Sequence, residues 1–194
     1  PKMVDEYHQQ LRAYSGQDFL GKLNNPVWHI HGNNVPNSNM AVPFSMLLNL
    51  ASVSGAEEKG TLWGFIKRYQ PEASPETHPD LDQAVGFAIA FYNDFVKPKK
   101  TYREANELER EAILELRNKL NDYEGDLDVE SLQSIVFSCG RERFDPLRKW
   151  FQALYEILLG ASQGPRFGGF IALYGIEETI ALIDSALDGN FCND

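Results

Sequence analysis

The residues of this chain best suited to chemistry fall in three neighbourhoods. Trp63 sits one helical turn from Lys59 and Lys67, with Arg68 following, and an aromatic ring flanked by cations can stack an unpaired nucleic-acid base. Arg166 and Phe167 come directly after Pro165. They are expected in the first turn of a helix, where unbonded backbone N–H groups and the positive end of the helix dipole favour a phosphate or carbonyl ligand. Gly164, Gly168 and Gly169 around them would let another backbone approach closely. The third neighbourhood is basic: Lys97, Lys99, Lys100 and Arg103 surround Pro98 and Tyr102, and Arg141, Arg143, Arg148 and Lys149 form a second cluster. Each feature has a plain structural alternative. Trp63 can simply widen an apolar core stripe. The glycines can serve a tight helix crossing, with Arg166 paired to one of the many carboxylates. Local spacing leaves both uses open.

Other chemistries find less support. His29 and His31 alternate within an expected strand and so face one way, as metal ligands would. No Cys pair or acidic ligand stands at a supporting spacing, so a structural role is expected and no metal. Glu104, Glu107, Glu111 and Glu115 recur at helical spacing, which a solvated face explains without catalysis. A glycine-rich phosphate loop is absent from the sequence. The expectation is therefore no catalytic residue and no cofactor in this chain.

The elements that position these groups are helices. Leu147, Trp150, Phe151, Leu154 and Leu158 put one apolar stripe on a helix begun by Asp145 and Pro146 and stopped by Gly160. Trp150 lies within that stripe and reads as core. Ser54 and Glu57 have capping-box spacing ahead of a helix whose buried face is Leu62, Phe65, Ile66 and Tyr69. Pro79 opens a longer helix that should end before Pro98. A Glu-rich helix through Leu108 to Leu120 follows, then a shorter one capped by Asp128. Pro165 starts another, which Gly175 breaks before Ile176 to Leu187. About eight helices in a bundle or cage make the class all-α. One strand is expected at Val27 to His31, and the Asn- and Pro-rich stretch before Phe44 divides a small loop-rich part, residues 1–42, from the helices of residues 43–194.

Bulk properties fit one domain with an appendage: 194 residues, 43% of them hydrophobic, suffice for a core. No apolar run reaches the roughly 18 residues of a membrane span, and the first residue is not Met, so the chain reads as a cytosolic piece of a longer protein. Cys139 and Cys192 belong to no motif and imply a reducing compartment. A net charge of -10 argues against nucleic acid at first sight. The acidity lies in the C-terminal helices, however, and local basic patches remain among them.

Three stretches in order carry a family likeness: Asn25-Pro26-Val27-Trp28-His29-Ile30-His31; Pro43-Phe44-Ser45-Met46-Leu47-Leu48-Asn49-Leu50 with Leu62-Trp63-Gly64-Phe65-Ile66-Lys67-Arg68-Tyr69; and Gln163 through Gly175. They resemble the C-terminal region of class I lysyl-tRNA synthetase and, more distantly, that of glutamyl-tRNA synthetase. Gly160, Gly164-Pro165 and Leu173-Tyr174-Gly175 match landmarks of its last helices, with Gly169 a mild departure where Ser is expected in many relatives. The resemblance implies the end of a stem-contact region followed by a helical cage that binds the anticodon arm of lysine tRNA. A preceding catalytic domain would use ATP to activate lysine. His29-Ile30-His31-Gly32 differs in order from the His-Ile-Gly-His motif of such catalytic domains, and the Lys-Met-Ser-Lys-Ser loop is absent, so no adenylation is expected here. Local chemistry then nominates Trp63, Lys67, Arg68, Arg166 and Phe167 for an anticodon pocket. Lys97, Lys99, Lys100, Arg103, Arg148 and Lys149 are nominated for backbone contact. The competing expectations are a helical protein-interaction module and a helical enzyme built on scattered acids.

Overall fold

The computed structural model describes residues 2–37, 40 and 42–191. Within them the chain is helical, with α1 (Lys2–Ser15), α2 (Phe19–Asn24), α3 (Pro26–His31), α4 (Phe44–Ser54), α5 (Lys59–Tyr69), α6 (Pro79–Phe91), α7 (Glu107–Asn121), α8 (Val129–Gly140), α9 (Arg148–Leu154), α10 (Phe167–Tyr174) and α11 (Ile176–Leu187). The all-α expectation holds. The eight helices from α4 onward answer to the expected bundle, and three more precede them. A π turn (Tyr92–Val96) and a 3-10 turn (Lys97–Lys99) prolong α6, and a second π turn (Tyr155–Leu159) prolongs α9.

The expected strand is a correction, because Val27 to His31 form α3. Asn25 caps that helix by accepting from the Val27 N–H at 2.9 Å, and Pro26 occupies its first turn. That geometry separates the two histidines, since residues two apart on a helix point nearly opposite ways. His29 is exposed, whereas His31 Nε2 meets the Tyr7 hydroxyl at 2.9 Å. The capping box at Ser54 and Glu57 is also corrected: Ser54 ends α4, its hydroxyl donates to Leu50 O at 2.6 Å, and Gly55 turns the chain with φ of 59°. α5 begins only at Lys59, and its outer end leaves Tyr69 exposed. Other signals held. Asp128 accepts from Ser131 N, the α6 helix gives way before Pro98, and Gly160 ends the α9 helix with φ of 61°.

α10 is the centre of the core. It packs on α8, α5, α11 and α4, and buries Phe167, Phe170, Ile171, Ala172 and Leu173, apolar on every side as a central helix must be. α4 packs against α6, and α7 against α8 and α11, so the layers close around it. α1 is tied on by polar contacts: the Asp5 carboxylate accepts from the N–H groups of Phe44 (2.6 Å) and Ser45 (3.1 Å), capping α4 from outside. Among the described residues, no helix is long and apolar enough to cross a membrane.

Candidate RNA interface

The nominated residues divide sharply by burial. Trp63 is only 5% exposed and its Nε1 donates to Asp82 Oδ1 at 3.0 Å, so the ring is core with a satisfied polar edge and has no face for a base. Phe167 is wholly buried. Both therefore leave the set of candidate base-stacking groups. Arg166 caps α10 just ahead of its first residue, outside the expected first turn, and forms a two-pronged pair with Glu130, both contacts 2.6 Å. Of the glycines beside it, Gly168 serves a helix crossing. The Gly168 N–H donates to Gln133 Oε1 at 2.8 Å, and a Cβ there would sit 2.5 Å from Gln133 N and 2.6 Å from Val129 O. This helix start is closed to a phosphate.

Arg68 is exposed and pairs with Glu178, its guanidinium 5.6 Å from the Phe65 ring. Lys67 beside it has no ion pair among the described residues. Both lie on α5, away from the basic clusters.

The first cluster and Arg148 of the second approach one loop. Thr101 N–H donates to Gly160 O, and Arg103 Nε donates to Glu156 Oε2 at 2.6 Å, which fastens the segment after α6 to the end of α9. On one side of the loop following Gly160 lies a cleft of about 610 Å3 lined by Lys99, Lys100, Tyr102, Arg103 and Ser162. On the other is a cleft of about 510 Å3 lined by Arg148, Gln152, Tyr155, Ser162 and Gln163. Ser162 borders both. Lys99 and Arg148 are exposed without ion pairs among the described residues, and Lys97 reaches Glu57 only at 3.7 Å. Lys149 is exposed, its ammonium on the Asp145 carbonyl at 2.9 Å. Gln152, Ser162 and Gln163 were not singled out from sequence. Their amide and hydroxyl groups can read base edges, but such residues are common on any surface and only the fold gathers them.

Two members of the basic cluster are fastened internally. Lys100 donates to Ser52 O at 2.7 Å, lies 4.9 Å over the Tyr102 ring, and burial pushes its ammonium down to about 8. It closes the strap over Gly160, where a Cβ would come 2.9 Å from Lys100 Cγ. Arg103 holds Glu109 with two contacts of 2.7 and 2.8 Å besides its bond to Glu156. Glu109 also accepts from Asn106 N, completing a capping box at the start of α7. Burial pulls the Glu109 carboxyl upward, but the Arg103 and Asn106 hydrogen bonds win and hold it below the usual carboxylate range. Hydrogen bonds from Arg103 and then Gln152 depress Glu156 likewise. The pair is thus kept ionised and paired to Arg103, and neither carboxyl holds a proton to give as a general acid.

A depressed carboxyl stabilises the fold above its unfolded value and loses that contribution as pH falls through its folded value. Glu109→Gln should therefore cost about 2 kcal/mol at neutral pH, the worth of a buried charge-assisted hydrogen bond. The gap between variant and parent should narrow as pH falls through the folded value, below the usual carboxylate range, where Glu109 takes up its proton. Urea melts at pH 7 and over a series of acidic pH values check this.

No protein-family model matches the chain. Among curated proteins, all 194 residues align at 70% identity with a lysine–tRNA ligase of Roseobacter denitrificans, spanning 37% of its length. Lysine–tRNA ligases of Rickettsia conorii and Rickettsia bellii align over 190 residues at 40% and 42% identity, and the chain spans 36% of each. The chain is homologous over its whole length to a segment, little more than a third, of lysine–tRNA ligases, the likeness its sequence motifs carry.

Proposed function

We propose that this chain is the tRNA anticodon-binding part of a class I lysine–tRNA ligase, with residues 1–42 closing a stem-contact region and residues 43–194 forming the anticodon cage. The observation that carries the reading is that the exposed Lys99 and Arg148 line two clefts that share Ser162 of the Gly160–Gly164 loop. Lys99 and Arg148 neutralise backbone phosphates there, with Lys97 and Lys149 beside them in the chain, while Tyr155, Gln152, Ser162 and Gln163 face the bases that the loop admits. Lysine anticodons are rich in U, and their bases are read splayed out of the stack. The whole enzyme works in the cytoplasm, where a catalytic part joined ahead of this chain activates lysine with ATP and passes it to the tRNA. ATP belongs to that part, as the likeness to class I lysyl-tRNA synthetase implies.

Charge reversal tests the interface. Lys99→Glu and Arg148→Glu should each weaken binding of lysine tRNA about tenfold, and together about a hundredfold, because separated sites add. Both side chains are exposed, so folding stability should shift by less than about 0.5 kcal/mol. Lys67→Glu, outside both clefts, should change affinity less than about threefold by the same comparison. Fluorescence titration of labelled tRNA reads all four proteins. Equal losses at Lys67, Lys99 and Arg148 would reduce the effect to net charge and remove the case for this site.

A further inference from the structure

The large apolar side chains that are more than half exposed among the described residues, Met3, Phe19, Leu20, Ile30, Phe87 and Phe95, all lie on α1 to α3 or on α6 and its π extension. They do not scatter as surface apolar groups ordinarily do. α1 to α3 bury little of their own: Leu11, Val27 and the polar Asn25. Such helices carry half a core.

Phe87, Phe91 and Phe95 recur every four residues and so share one helix face, with the Phe91 and Phe95 rings 5.1 Å apart. Val4, Tyr7 and Leu11 of α1 stand across from them, and the groove between holds about 680 Å3. Asp80 and Asp94 mark its edge, and neither lysine nor arginine lines it among the described residues. Beside His8, Tyr7 and Gln83 the charged groups that a phosphate backbone would meet here are carboxylates, so RNA is the wrong occupant. The larger share of the Roseobacter relative's length has no counterpart in this chain. Polypeptide joined ahead of α1 would emerge beside the groove, because Val4 lines it.

We infer that this face is the seat of the catalytic part of the parent polypeptide, which covers the Phe87–Phe91–Phe95 row and the exposed apolar groups of α1 to α3 with an apolar surface of its own. The inference rests on the reading of the chain as one part of a longer ligase. The helices α1 to α3 then act as mortar between the two parts, with apolar groups left outward and α1 tied inward by Asp5 to Phe44 and by Arg12 to Met40. A joint of this kind holds the anticodon clefts at a fixed distance from the catalytic centre.

Hydroxyl-radical footprinting of the unsubstituted full-length protein tests it, with Phe137 and Tyr69 as exposed internal references on other helices. Phe19 and Phe87 should react at least about tenfold more slowly than Phe137, although each is more exposed than Phe137 in this chain alone, and Phe95 is left out of the comparison because it also lines the Lys99–Arg103 cleft. Reaction at the rate of Phe137 or faster would overturn the inference. So would protection that vanishes on dilution, which assigns the face to a second copy, or protection that needs added tRNA, which assigns it to RNA. Lysylation of tRNA by the same sample is scored separately. A protected face in a protein that does not lysylate would sink the ligase reading and leave the joint, and an unprotected face in an active ligase would do the reverse.

Discussion

Trp150→Ala should be the costliest single change in this chain, lowering stability by about 4 kcal/mol through cavity formation and a lost hydrogen bond. The ring is wholly buried, its Nε1 donates to Val136 O at 2.9 Å, and it stacks on Phe144 with centroids 5.4 Å apart. Gly140 explains why the ring cannot be replaced by neighbours moving in: a Cβ there would lie 2.3 Å from Trp150 Cδ1, so α8 already touches the indole through bare backbone. The cavity would stay open and the Val136 carbonyl would lose its side-chain donor. Trp150→Phe separates the two contributions. It keeps most of the ring and should cost about 2 kcal/mol, partly for the lost hydrogen bond. Chemical denaturation of both variants gives the comparison, and equal costs would mean that the ring volume contributes nothing beyond its N–H.

Gly168→Ala comes next, at about 3 kcal/mol, the upper range for overpacking. The atoms that a methyl would strike are backbone, Gln133 N and Cα and Val129 O, all within 2.7 Å. No rotamer change can make room, so α10 must retreat from α8 and carry Phe167 and Phe170 with it. For a domain of this size each kcal/mol lowers the melting temperature by roughly 2–4 °C, so a fall of about 10 °C should appear in a thermal scan. Gly169→Ala is the internal control. Its Cβ would meet the flexible end of Met46 at 3.3 Å, which can give way, and its melting temperature should move by less than about 3 °C. Matching losses at the two glycines would remove the special status of the α8–α10 crossing.

What could be read from the sequence was local. Gly160, Asp128 and Gly175 mark helix ends through their own backbone chemistry, and each does so in the fold, whereas the helix expected to begin at Asp145 and Pro146 starts only at Arg148. Asn25-Pro26 carries the same grammar, yet the β-branched and aromatic residues after it suggest a strand, and the Asn cap decides the outcome. Ser54 and Glu57 have the spacing of a capping box, but spacing does not tell a helix that begins from one that ends. The site residues were harder for a physical reason. Periodicity fixes which face of a helix is apolar, not which flanking position a neighbouring helix covers, and that difference buries Trp63. Arg166 meets Glu130 across 36 positions and Arg68 meets Glu178 across 110, pairings that no local pattern contains. The approach of Lys99 and Arg148 to one loop is of the same kind, since Thr101 reaches Gly160 only through the tertiary fold.

Whether this surface grips the anticodon arm of lysine tRNA is decided by titrating the chain with that tRNA and with one altered only in the anticodon, at low and at moderate salt. The natural anticodon should bind more tightly at both salts. Affinity should fall steeply with salt, each phosphate contact adding about −0.7 to −0.9 to the slope of log K against log salt. Equal affinity for the two RNAs, or no affinity for either at low salt, would contradict a grip on the anticodon arm.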